Sequence, residues 1–114
     1  MPESSGNESD RCAAVEFHVA AQRCLAQFAG WTAATWRVEG ANVHRVLQLW
    51  ANYAATARQL PRREVPRLDS DFALADQLAV LSHDLEAALR GVPIGVSAGI
   101  YAAATTEARQ LLAS

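Results

Sequence analysis

Apolar side chains recur along this chain at helical spacing almost from end to end. Phe17, Ala21, Cys24, Phe28, Trp31, Thr35 and Val38 follow one another at intervals of 4, 3, 4, 3, 4 and 3 residues, a seam that stays on one side of a helix. The spacing predicts one long helix over 10–38, with Ser9 or Asp10 as its N-cap. Gly30 falls off the seam, where a glycine costs a helix only ~1 kcal/mol, so the helix is expected to pass through it. Glu39-Gly40-Ala41-Asn42 reads as a stop and restart, with glycine ending one helix and asparagine capping the next.

The second seam is Val43, Val46, Trp50, Tyr53, Ala57 and Leu60, with Arg45, Gln48, Asn52 and Gln59 on the other flank. It predicts an amphipathic helix over 43–60, closed by Pro61. A proline-punctuated loop leads to a third helix over 70–90, whose seam is Leu74, Leu78, Leu81, Leu85 and Leu89. Gly91 and Pro93 separate it from a fourth helix over 94–112, with Ser97, Ile100, Tyr101, Ala104, Ala108 and Leu111 on one face. No stretch alternates like a strand.

The fold class expected is therefore all-α: an up-down four-helix bundle with a long first helix, residues 9–114 forming one domain behind a disordered N-terminal tail over 1–8. A first helix of 29 residues is ~43 Å long against ~27 Å for its neighbour. The mismatch leaves part of the first seam uncovered and points to association.

Composition sharpens this picture by exclusion. Half of the 114 residues are apolar and only 7% aromatic, which suits helices packed through alanine better than a sheet. The net charge is −2 and every basic residue is arginine, so a general nucleic-acid binder is not expected. Cys12 and Cys24 would sit ~18 Å apart on one helix, beyond disulfide reach, and free thiols favour a cytoplasmic location. The opening residues have no basic segment followed by an apolar run, so they do not resemble a signal peptide. No apolar stretch reaches the ~18 residues that would mark a membrane span.

Committed chemistry is not found. A di-metal carboxylate bundle needs Glu-x-x-His pairs, and His18, His44 and His83 stand in none. Glu16 and His18 point about 200° apart on a helix, and two cysteines on different faces match no zinc spacing. No phosphate-binding glycine loop occurs. No catalytic residue, metal or cofactor is therefore assigned, and a non-enzymatic role is expected. The Trp-x-Gly hinge and Tyr-x-x-x-acid tail of type VII secretion substrates are also missing, since Trp36 and Gly40 are four apart and Thr105 follows Tyr101 by four.

Three surfaces remain as candidates. The leading expectation is a homo-oligomer, a dimer above all, or a complex with a protein partner, formed through the first helix. Its interface residues would be Val15, Phe17, Val19, Phe28, Trp31 and Trp36, with Trp36 at the seam's edge and therefore exposed. The alternative is a small-molecule binder with an aromatic-lined internal pocket around Trp50, Tyr53 and Tyr101. A fainter one is anion or nucleic-acid binding by Arg58, Arg62, Arg63 and Arg67, which cluster around one loop without interleaved aromatics.

Overall fold

A computed structural model describes the backbone of residues 2–68 and 70–113 and the side chains of 11–68 and 70–113. Among the described residues it contains four helices: α1 (Pro2–Ala29), α2 (Ala33–Ala57), α3 (Ala73–Leu89) and α4 (Ile94–Ala113). All four contribute to one buried cluster, with Phe17, Trp36, Trp50, Leu78, Leu85 and Leu111 among its largest members. The all-α four-helix bundle stands. Among the described residues no helix is long and apolar enough to cross a membrane.

The first helix differs from expectation at both ends. It reaches back to Pro2, through the stretch expected as a tail, with proline at a first-turn position that tolerates it. At the other end it stops at Ala29 instead of running to 38. Its last turn tightens, Gly30 N–H donating to Gln27 O at 3.1 Å and Trp31 N–H to Phe28 O at 3.0 Å. Thr32 then caps α2, its hydroxyl accepting from the Thr35 N–H at 3.2 Å. The break folds three rings onto one another, with centroid distances of 4.6 Å for Phe28–Trp31, 5.1 Å for Phe28–Trp36 and 4.8 Å for Trp31–Trp36. Stacking and burial of this size outweigh the continuity of one helix.

The expected stop at 39–42 lies inside α2. Gly40 serves close approach: a β-carbon there would stand 2.8 Å from Arg67 Nη2 and 3.3 Å from Asp71 Cγ. The true end of α2 is a Schellman motif. Leu60 N–H donates to Ala55 O at 2.8 Å and Gln59 N–H to Thr56 O at 3.1 Å, with Gln59 in the left-handed position at φ 58°.

Helix direction is the second difference. The segment 59–68 runs back beside α2: Gln48 holds Arg63 and Val65, His44 holds Val65, and Arg67 lies over Gly40. Consequently α3 starts near the start of α2 and runs parallel to it, Phe72 beside Trp36 at one end and Asp84 paired with Arg58 at the other. Helices α1 and α4 are parallel as well, because Phe17–Tyr101, Cys24–Ala108 and Gln27–Leu111 all meet at an offset of 84 residues. The order is thus up-down-down-up, with one crossover in place of up-down-up-down. The physical cause is reach: the ~27 Å from Arg58 back to Gly40 on α2 is covered by about nine extended residues, and Pro61 and Pro66 keep this segment out of helix. Small residues at the α1–α4 seam, Ala20, Ala21 and Cys24 facing Ala104 and Ala108, permit close approach of the two parallel helices.

Candidate binding site

The crossover builds a groove that no single seam announces. Its floor is alanine from α2, at positions 51, 54 and 55, and its α3 wall carries Val80 and Leu81. The crossover supplies the other wall with Leu60, Val65 and Leu68. The groove offers about 730 Å³, within the range of small-molecule sites. Leu60, Leu68 and Val80 are exposed although apolar, because the groove opens to solvent along its length.

Polar side chains from α2 fix the outer wall in place. Gln48 spans two crossover residues, its Nε2 donating to Arg63 O at 2.9 Å and its Oε1 accepting from Val65 N–H at 2.8 Å. His44, one turn earlier, donates from Nε2 to Val65 O at 2.7 Å. Both backbone groups of Val65 are therefore satisfied by side chains, as a neighbouring strand would satisfy them. From the other side Gln77 Nε2 donates to Pro66 O at 3.0 Å. An ion pair, Arg58 Nη1 to Asp84 Oδ1 at 2.8 Å, closes one end of the groove.

Of the candidate residues named from the sequence, Arg58 and Arg63 line this groove and the others do not. Phe17, Phe28 and Trp36 lie in the core, Trp36 only 1% exposed, so they present nothing to a partner. The break at 30–32 turns Trp36 inward, which corrects its placement at an exposed edge. Trp31 is half-buried. Val15 and Val19, at 61% and 41% exposure, are the members of the proposed interface that face outward.

Of the residues expected around an aromatic pocket, Trp50 and Tyr101 are buried and Tyr53 is half-buried. Trp50 and Tyr101 both pack against Phe17, at centroid distances of 5.0 and 5.6 Å. Tyr101 also borders a smaller hollow of about 270 Å³ beside Arg11, Glu86 and Arg90.

The four arginines are dispersed by the crossover. Arg58 is held by Asp84, while Arg67 is held by Asp71 at 3.0 Å, some 27 Å further up α2. Arg62 and Arg63 are exposed and make no ion pair among the described residues. His18 and His83 both approach Glu86, at 3.4 and 3.9 Å. Among the described residues no group of three His, Cys, Asp or Glu side chains could hold a metal ion.

Glu107 is the polar centre that sequence reasoning missed. Its Oε1 accepts from Trp50 Nε1–H at 3.2 Å and its Oε2 from the Tyr53 hydroxyl at 2.5 Å. Burial, the hydrogen bond to Glu107 and that carboxylate's charge push the Tyr53 hydroxyl up to about 12 from 10.0. Because the folded value is raised, the neutral phenol stabilises the fold fully below pH 10, and that contribution is lost as pH rises towards 12. An ultraviolet titration should show Tyr53 ionising late, and Glu107→Gln should bring it earlier. A Tyr53→Phe protein with an unchanged titration curve would contradict the assignment.

Comparison with protein-family models, with curated proteins and with solved structures finds no match to this chain.

Proposed function

We propose that this chain is a non-enzymatic binding protein whose crossover groove takes a small apolar molecule. The carrying observation is the groove itself: about 730 Å³ with apolar walls, and an outer wall tied down by Gln48, His44 and Gln77. A wall fixed in advance reduces the ordering cost of binding. Nile red, a neutral apolar dye, should bind saturably at one site, and Val80→Arg should weaken it about tenfold or more. Val38→Arg, on an exposed valine outside the groove, should leave binding unchanged. Equal binding by all three proteins would sink this reading.

A second reading is self-association through the outward side of α1. Val15 and Val19 lie opposite Phe17 with exposed Cys12 and Ala26, a strip that a two-fold axis could pair with its own copy. Sedimentation of wild type against Val15→Asp/Val19→Asp tests it, the expected result being a dimer that becomes a folded monomer. A reducing, cytoplasmic setting belongs to the same proposal, since Cys12 and Cys24 are both free thiols.

A further inference from the structure

We infer that the groove selects an apolar chain bearing one cationic head, an alkylammonium amphiphile, over its anionic counterpart. The inference rests on the groove being a ligand site and concerns which chemistry it prefers there. Among the described residues three carboxylates border the groove, Glu64, Asp76 and Asp84, against two guanidiniums, Arg58 and Arg63. Arg58 and Asp84 neutralise each other at 2.8 Å. What remains for a ligand is Glu64 and Asp76 against Arg63 alone.

The helix terminus at this end does not reverse the balance. The first amides of α3 are already occupied: Ala73 N–H donates to Ser70 O at 3.1 Å, Leu74 N–H to Asp71 O at 3.0 Å and Ala75 N–H to Phe72 O at 3.3 Å. Those three amides are thus not available to a carboxylate or phosphate, and Asp76 in the first turn offsets the dipole there. Arg67, the next cation along, is engaged with Asp71.

Geometry gives the head a place. Asp76, Val80 and Asp84 are spaced four apart on α3 and all three line the groove. Asp84 is taken by Arg58 at one end, so the open carboxylate is Asp76, one turn before the Val80 that the chain would cover. An ammonium group at Asp76 leaves its hydrocarbon lying along Val80 and Leu81 towards Leu60.

The test uses three probes with one tail, decyltrimethylammonium, decanol and decanoate, each below its aggregation threshold, titrated calorimetrically into the full chain. Because Asp76 is solvent-exposed, the preference is modest: the ammonium should bind about 3- to 10-fold tighter than decanoate. Asp76→Asn should remove most of that difference while leaving decanol unchanged. Decanoate binding as tightly as the ammonium, or a preference untouched by Asp76→Asn, would overturn the inference and leave the groove reading intact. Failure of all three probes to bind would overturn both.

Discussion

Trp50→Ala is expected to remove about 3–5 kcal/mol of stability, seen as a large fall in the urea midpoint followed by far-ultraviolet circular dichroism. The indole is fully buried, edge-on to Phe17 at 5.0 Å, and its N–H donates to Glu107 at 3.2 Å. Truncation therefore opens a cavity where α1, α2 and α4 meet and takes one donor from a half-buried carboxylate. A domain of this size has about 5–15 kcal/mol in all, so much of the population unfolds under mild denaturant. Trp50→Phe keeps most of the ring volume and should cost less. Val38→Ala, on an exposed valine, should stay within about 0.5 kcal/mol. If Trp50→Ala matched Val38→Ala, the ring would not be at the junction described.

The pattern of apolar positions carried the helices well where a helix's own turns decide the outcome. The leucine seam of α3 and the Ser97–Tyr101–Ala104–Ala108–Leu111 face of α4 are buried as the spacing implies, with Leu81 and Ile100 packed at the edge of the core. Periodicity failed at Gly30 because the heptad count continues across the turn: Phe28, Trp31 and Thr35 keep their spacing whether or not the backbone bends. The local signal was Thr32, a capping residue that the seam masked. Gly40 was misread for the opposite reason. A glycine two residues before an asparagine resembles a stop, and only the Arg67 and Asp71 side chains packed on it show why a β-carbon is unwelcome.

The groove was illegible for a reason of scale. It needs α2 and α3 side by side and parallel, which depends on the crossover doubling back, and no short-range pattern encodes that direction. Once the path is known, the residues that enforce it make sense. His44 and Gln48 are one turn apart and both reach Val65, a pair that reads in the sequence as an ordinary polar flank. Glu107 was hidden similarly, because its donors Trp50 and Tyr53 come from a helix more than fifty residues away.

The two cysteines should react very differently with iodoacetamide at pH 8. Cys12 is exposed on the outer side of α1, whereas Cys24 is fully buried against α4, its thiol donating to Ala108 O at 3.4 Å. Burial pushes the Cys24 thiol up to about 11 from 9.0, which leaves about a hundredfold less thiolate at pH 8 than an unperturbed thiol has. Exclusion of the reagent adds to this, so in the folded chain Cys24 reacts only when α1 lifts from α4. Mass spectrometry should find one adduct quickly and the second after unfolding in urea. The two large effects are then coupled: Trp50→Ala loosens the same α1–α4 contact and should speed Cys24 labelling while leaving Cys12 unchanged. Equal rates at both thiols in the native protein would mean that the parallel pairing of α1 with α4, on which the up-down-down-up order rests, does not hold in solution.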